Sequence, residues 1–134
     1  MEKYEILEHS ADLKIRASGR TVEELFLNAM LGMEDFLGAE IKNKNLKKIK
    51  IELKASDLAA LLVDFLSEVN YLNEVKKEIY YTVHFVKFSG EELEAELWGY
   101  PVLRFKRNIK AVTYHQLAVW QENDQWLATI LFDI

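Results

Sequence analysis

The residues with the greatest capacity for chemistry lie in three short parts of the chain. His9 and Asp12 belong to a His-Ser-Ala-Asp segment, and Asp133 stands one residue before the last. The segment Lys110 to His115 carries an ammonium group, a phenol and an imidazole. Such groups can bind a metal ion, transfer protons or anchor a partner. These side chains are therefore the candidates for a functional site, and the question is which elements position them.

Alternation of side chains predicts that Asp133 lies in a strand with two apolar faces. In a strand over residues 125–134, one face carries Trp126, Ala128, Ile130, Phe132 and Ile134, and the other carries Leu127, Thr129, Leu131 and Asp133. Two apolar faces indicate a central strand covered on both sides. A carboxylate buried there needs a hydrogen bond, an ion pair or a metal, whereas one in water needs none. The strand by itself favours an exposed Asp133.

The turn near the start of the chain also allows two interpretations. His9 precedes it and could line a site, as could His115, which follows Tyr114. Ser10 and Asp12 could equally use their side chains to satisfy backbone donors of the turn. A functional interpretation requires a second carboxylate to converge on Asp12.

Hydrophobic periodicity predicts two main helices among seven strands. Thr21 followed by Glu24 is a capping box that begins the first helix, and Gly38 ends it. Ser56 and Asp57 begin the second helix. Strands are predicted over residues 4–7, 13–18, 47–54, 79–88, 91–99, 110–121 and 125–134. We predict an α+β domain in which a mixed, mostly antiparallel sheet is packed with two helices on one side.

Loops are predicted at three points between these strands. Glu122-Asn123-Asp124 and Ser89-Gly90 have the composition of hairpin turns. Pro101, the only proline, marks the loop after the strand that ends at Gly99.

Length and composition limit the class of protein. The 134 residues fit one domain, residues 1–134, since no linker or low-complexity stretch divides them. Without cysteine there is no disulfide or thiolate site, and the charged start of the chain is unlike a signal peptide. No stretch of 18 apolar residues occurs, so we expect a cytoplasmic protein with no membrane partner.

Charge and motifs exclude several functions. The formal net charge of −5 argues against a generic binder of phosphate backbones. Fingerprints of nucleotide-binding loops, zinc proteases and serine hydrolases are absent. A run of lysines at positions 42, 44, 47, 48 and 50 is interpreted first as a solvated loop leading into a strand, with a partner-binding patch as the alternative.

Several segments, in their order along the chain, together resemble the archease family. They are His9 to Asp12, Gly19 to Glu24 with Ala29-Met30, Leu62 to Leu66, Lys110 to His115, and Phe132 to Ile134. The Lys-Ala-Val-Thr-Tyr-His segment and the acidic strand end are the most specific. Ser10 replaces the usual threonine and keeps its hydroxyl. Gln116 replaces the usual glycine and adds bulk beside His115.

The resemblance implies a protein cofactor that is not itself catalytic. Archeases assist the GTP-dependent RNA-splicing ligase, which joins a 2′,3′-cyclic-phosphate or 3′-phosphate end to a 5′-hydroxyl, chiefly in tRNA splicing. They promote guanylylation of the ligase and restore it for multiple turnover. On this expectation the partner is the ligase, and tRNA is reached only indirectly through it.

The resemblance also implies a divalent metal site. Its ligands would be Asp12, Asp133 and Ile134, the last through its backbone or terminal carboxylate. Negative charges at such short distances repel one another unless a cation lies between them. Calcium tolerates irregular coordination by oxygen atoms alone. Calcium is therefore expected, with magnesium or manganese as alternatives. The residues expected to act on the partner are Lys110, His9, Tyr114 and His115.

Two alternatives come from other functional classes. A small metal-dependent phosphoesterase could use Asp12, His9, His115 and Asp133, since two carboxylates and a metal can activate water. A chaperone-like binding module for RNA-processing proteins would need only an acidic surface. The first would turn over a substrate without a partner, and the second would bind partners without changing the rate of the ligase.

Overall fold

The structure, a computed structural model, describes residues 2–134, and it has two helices and eight strands. In chain order they are β1 (Tyr4–Glu8), β2 (Asp12–Gly19), α1 (Val22–Leu37), β3 (Ala39–Ile41), β4 (Lys47–Lys54), α2 (Leu58–Lys76), β5 (Glu78–Phe88), β6 (Glu92–Phe105), β7 (Ala111–Glu122) and β8 (Gln125–Asp133). The predicted α+β class is confirmed. Neither helix of this part of the chain is long and apolar enough to cross a membrane.

The strands form two four-stranded sheets, where one sheet was predicted. The first sheet has the order β1-β2-β8-β7, and in the second sheet β6 pairs with β3 and β4 on one edge and with β5 on the other. Every strand pair within residues 2–134 is antiparallel, so neither sheet is mixed. Both helices contact both sheets. The prediction that they cover one side of a single sheet was therefore wrong.

The helix ends agree with the predicted capping residues. The backbone N–H of Glu24 donates to the Thr21 hydroxyl at 3.1 Å, and α1 ends at Gly38, which has a left-handed φ of 62°. At the start of α2, the Asp57 carboxylate accepts from the backbone N–H of Ala60 at 2.8 Å. These caps satisfy donors and acceptors that helix ends would otherwise leave unpaired.

One hydrophobic core joins both helices to both sheets. At its centre the rings of Phe26 and Phe65 lie 5.5 Å apart, and Phe85 and Phe88 pack against them. Leu13 of the first sheet and Leu97 of the second, with no exposed surface, belong to the same cluster. The residues of β2 and β8 that face this core are therefore fixed by packing, and those on the opposite face are left for other roles.

The proline prediction was wrong, because Pro101 lies inside β6. Pairing of β6 with β4 ends at Gly99, and pairing with β3 begins at Val102. Pro101 falls in the gap between these two ladders, where the lack of an N–H costs little. The short strand β3 was not predicted, because three residues are too few to show alternation.

The predicted hairpin between β7 and β8 is present, but its turn is one residue shorter than predicted, because Glu122 belongs to β7. Glu122 pairs with Gln125, so the turn consists of Asn123 and Asp124. Both residues have positive φ, 50° and 62°, as a two-residue type I′ turn requires. This hairpin fixes the end of β8 that lies farthest from Asp133.

Candidate functional site

The first sheet brings three distant segments of the chain to one end. Asp12 begins β2 and Asp133 ends β8, and these two residues are direct partners in the antiparallel register. Ala111, which begins β7, pairs with Asp133 from the other side. Direct partners have their Cβ atoms about 4.5–5.5 Å apart and their side chains on one face. The carboxyl groups of Asp12 and Asp133 are therefore neighbours.

Backbone hydrogen bonds fix the loops on either side of this carboxylate pair. The N–H of His9 donates to the carbonyl of Asp12 at 2.9 Å and closes the β1–β2 turn. The N–H of Lys110 donates to the carbonyl of Asp133 at 2.8 Å and extends the β7–β8 ladder by one residue. His9 and Lys110 are both exposed. The structure thus places an imidazole and an ammonium group in the two segments that border the carboxylates.

Asp12 and Asp133 face away from the helices. Their strand neighbours Leu13 and Phe132 are fully buried in the core, so alternation directs the two carboxylates to the outer face. Asp133 is exposed and Asp12 is half-buried. β8 is central in the sheet, as predicted, but Leu131 on its outer face is only half-buried. The predicted cover on both sides was wrong, and the carboxylates are accessible to solvent.

These side chains would complete only part of a metal site. Among residues 2–134, no three His, Cys, Asp or Glu side chains lie close enough together to hold a metal ion. Calcium takes about six to eight oxygen ligands. Asp12 and Asp133 offer hard carboxylate oxygens, and the half-buried Ile134 adjoins Asp133 with its main-chain oxygen. The donors fit an oxygen-preferring ion, with the remaining positions left to water or to a partner.

Tyr114 and His115 lie away from the carboxylate pair, in a bulge of β7. Thr113 pairs with Leu131 and Ala118 with Thr129, so the four residues 114–117 oppose Ile130 alone. Within this bulge Gln116 has a φ of 55°, in the left-handed region that glycine adopts without strain. Glycine, which the resemblance leads us to expect at this position, would adopt this conformation freely, whereas Gln116 adopts it at some cost.

The bulge is held against α2 by one side-chain hydrogen bond. The Tyr114 hydroxyl donates to Asp64 Oδ1 at 3.0 Å. This hydrogen bond to Asp64 raises the pKa of Tyr114, and desolvation adds to the effect. Because α2 packs on the inner face of the sheet, the Tyr114 side chain lies on that face, whereas Asp12 and Asp133 lie on the outer face. His115 is exposed, and its N–H donates to the Thr113 hydroxyl at 3.3 Å.

Two interactions that position Lys110 were missed by the sequence analysis. Arg107 forms an ion pair with Glu8, which ties the β6–β7 loop to the β1–β2 turn. The Asn70 side chain donates to the carbonyl of Ile109 at 3.1 Å. Residues so distant along the chain give no local signal of contact. Asp64 carried a weak signal, because it is the only charged residue in the apolar first half of α2.

One known protein family matches nearly the whole of this chain. Residues 4–134 match the model of the archease protein family. The chain belongs to the archease family. The resemblance seen in the sequence is confirmed.

Relatives from archaea show the same family along the whole chain. Protein archease of Methanosarcina mazei is 37% identical over 146 residues and covers 99% of this chain and 97% of its own length. Protein archease of Pyrococcus furiosus is 30% identical to this chain, and the alignment covers the full length of both proteins.

Two solved structures share the fold. The solution structure of Methanobacterium thermoautotrophicum protein 1598 superposes with a TM-score of 0.71 at 22% identity, over 100% of both chains. The crystal structure of an archease from Thermotoga maritima, described as a possible chaperone, superposes with a TM-score of 0.70 at 22% identity. It covers 96% of this chain and 94% of its own.

Proposed function

We propose that this archease is a non-catalytic, cytoplasmic activator of the GTP-dependent RNA-splicing ligase. It promotes guanylylation of the ligase and its multiple turnover. The observation that carries the proposal is the register pairing of Asp12 with Asp133, beside Lys110, at one exposed end of the first sheet. These are the residues that the family resemblance assigns to the site, and they come from three distant segments.

Asp12, Asp133 and Ile134 would hold a divalent ion, most favourably calcium. When bound, the ion would supply positive charge and free coordination positions for oxygen atoms of the ligase or its bound nucleotide. Magnesium would be held less well, because two carboxylates across a strand pair do not impose its strict octahedral geometry. An incomplete ligand set predicts weak binding by the isolated chain and tighter binding in the complex.

Lys110 and His9 would contact the partner through their side chains. The Lys110 ammonium makes no ion pair within the described part of the chain, so it can meet a phosphate or a carboxylate of the ligase. The backbone at both residues is already hydrogen-bonded. Docking therefore requires little ordering of the chain, which lowers its entropic cost.

The test is RNA ligation with limiting purified ligase, excess RNA bearing 3′-phosphate and 5′-hydroxyl ends, GTP and metal. With the wild-type chain we expect many turnovers per ligase and faster guanylylation. Asp12→Asn and Asp133→Asn remove one charge each with little change of shape, and each is expected to lower activation at least about tenfold. Lys110→Ala is expected to act in the same direction.

The matched control is Asp124→Asn, which removes a carboxylate from the hairpin turn at the opposite end of β8. Activation should be unchanged by Asp124→Asn, since asparagine tolerates the positive φ of this turn. Full activation by the Asp12 and Asp133 variants would refute the proposed site. An equal loss of activation in Asp12→Asn, Asp133→Asn and Asp124→Asn would indicate a general effect of net charge.

The same purified chain and variants distinguish the activator from the two alternatives, a phosphoesterase and a chaperone-like module. Release of phosphate from a phosphoester by the isolated chain, lost in Asp12→Asn, would indicate a phosphoesterase. Thermotoga maritima archease is described as a possible chaperone, so protection of the ligase from heat aggregation is the second measurement. Protection without any change in turnover would favour the chaperone-like module over the activator.

A further inference from the structure

The second sheet carries a surface that the proposed function does not use. On its outer face, Trp98 and Tyr100 alternate along β6 with Leu97 and Gly99, which are buried. Both aromatic side chains are half-buried and lie on the central strand of the sheet. The helices pack on the inner face, where Leu97 joins the hydrophobic core. We call the outer region around Trp98 and Tyr100 the lysine–aromatic face.

Lysine side chains surround these rings. Lys44 Nζ lies 4.8 Å from the centroid of the Tyr100 ring, and Lys48 Nζ lies 5.1 Å from that of Trp98. The ring of Tyr81, 43% exposed, lies 6.1 Å from Tyr100. Two aromatic rings and two ammonium groups therefore share this face, whereas Tyr81 borders Asp35 of α1. Each lysine is close enough to its ring for a cation–π contact and stays accessible to solvent.

The positive charge of this face is poorly compensated. The run from position 42 to position 50 has no intervening acid and places Lys44, Lys48 and Lys50 on this face, whereas Lys47 pairs with Gly99 and lies on the opposite face. Of these, only Lys48 forms an ion pair within residues 2–134, with Glu96 at 3.4 Å. Such a concentration of cations is notable in a chain of net charge −5. The lysine run is therefore part of a formed surface and not only a solvated loop.

Rings bordered by lysines have the chemistry of a platform for unpaired bases. Trp98 and Tyr100 are two residues apart on one strand, so their side chains are about 7 Å apart, a separation that successive splayed bases can span. Bases stack on aromatic rings whatever their sequence, and lysines neutralise the backbone phosphates. Duplex RNA keeps its bases stacked inside and cannot use these rings.

We propose that the lysine–aromatic face binds single-stranded RNA, with bases on Trp98 and Tyr100 and phosphates on Lys44, Lys48 and Lys50. On binding, the lysines leave the rings for the phosphates and bases take their place. The other half of the sheet face carries Glu52 and Glu94, which repel phosphate and limit the site to a few nucleotides, while Glu92 there is ion-paired with Lys54 and Lys87. This goes beyond the proposed function, in which RNA is reached only through the ligase.

The test is fluorescence anisotropy of a labelled single-stranded RNA of about ten nucleotides, a length suited to such sites. The protein is titrated without ligase and without divalent metal. Wild-type chain should bind the single strand more tightly than the matching duplex. With three phosphate contacts, raising salt from about 50 to about 200 mM should weaken binding about 20-fold.

Charge and ring variants test the face directly. The double variant Lys44→Glu/Lys50→Glu should weaken binding at least about tenfold at low salt, because it replaces two phosphate contacts with repulsion. Trp98→Leu should weaken it at least about fivefold through loss of stacking. Thermal melts establish that each variant is folded, and the lysine variant does not depend on a residue that packs against the sheet.

The matched control is Arg20→Glu, which makes one charge reversal in the β2–α1 turn of the other sheet. RNA binding should be nearly unchanged by Arg20→Glu. The proposal is overturned by absence of binding at low salt, by undiminished binding in the lysine variant, or by an equal loss in Arg20→Glu. Loss of ligase association instead of RNA binding in the lysine variant would also overturn it, in favour of a protein-docking surface. Asp12→Asn should keep RNA binding, which separates this result from the test of ligase activation.

Discussion

Glu34 of α1 is a charged residue type placed in the core, with 2% of its surface exposed. Its Oε2 accepts from the Asn73 side chain at 2.7 Å and from the backbone N–H of Tyr80 at 3.0 Å. Glu34 Oε1 and Asn73 Oδ1 are both buried without a hydrogen-bond partner in the described chain. These two buried oxygen atoms are best explained by a proton on the Glu34 carboxyl group, because the protonated acid can donate a hydrogen bond.

Glu34 should make stability depend on pH in the neutral range. Desolvation raises the pKa of Glu34 from 4.5 to about 8, and the two hydrogen bonds to Oε2 oppose this only in part. Between these values the native chain keeps a proton that the unfolded chain has lost. The free energy of unfolding should therefore fall as pH rises from about 5 to about 8, by about 1 kcal/mol per pH unit.

Urea unfolding at several pH values measures this dependence, and Glu34→Gln is the matched variant. Glutamine cannot titrate, and its amide group supplies the donor that the carboxylate lacks. The stability of Glu34→Gln should be nearly flat from pH 5 to 8. An equal pH slope in wild type and variant would show that other groups cause it. The sequence did not predict this burial, because a glutamate in an amphipathic helix is normally solvated.

The β7 bulge provides a prediction for a single element. Gln116 occupies a left-handed conformation that costs a non-glycine residue about 1 kcal/mol or more. Gln116→Gly should relieve this strain and raise the free energy of unfolding by about 0.5–1 kcal/mol, after allowance for the greater freedom of the unfolded chain. Gln121→Gly, in a regular part of the same strand, should instead lower stability by a similar amount.

Thermal melts of these two variants give the comparison, and a lower melting temperature for Gln116→Gly would contradict it. The bulge itself was not predicted, although Val112 and Leu117 both pack on the core five positions apart, a spacing that a regular strand does not allow. The bulge forms because of the register in which β7 pairs with β8, and residues near the bulge do not determine that register. The helices were predicted well because Thr21, Gly38 and Asp57 act within one turn of the chain.

At the scale of the whole molecule, the site depends on contacts between distant segments. Asp12 and Asp133 are 121 positions apart (133 − 12), yet they are register partners. Their types and the family pattern made both residues candidates, but only the pairing of β2 with β8 joins them. The division of the strands into two sheets is unpredictable for the same reason, since either arrangement satisfies the alternation of each strand.

Metal binding at this strand pair should stabilise the whole fold. An ion that binds only the native chain adds about 1.4 kcal/mol at a free concentration ten times its Kd, which corresponds to a rise of a few degrees in Tm. Calcium in the millimolar range should raise the Tm of wild type, and magnesium should raise it less. Asp12→Asn and Asp133→Asn should abolish the shift, whereas Asp124→Asn should retain it. Equal shifts in all four proteins would place the ion elsewhere.

The bulge of β7 also affects how separate copies of the chain meet. β7 is an edge strand of the first sheet, and an edge strand offers unpaired N–H and C=O groups to any other extended chain. Residues 114–117 leave the plane of the ladder and interrupt that row after Thr113. A second copy therefore finds no long straight template for intermolecular strand pairing. The same distortion that presents Tyr114 to α2 protects the folded protein from edge-to-edge aggregation.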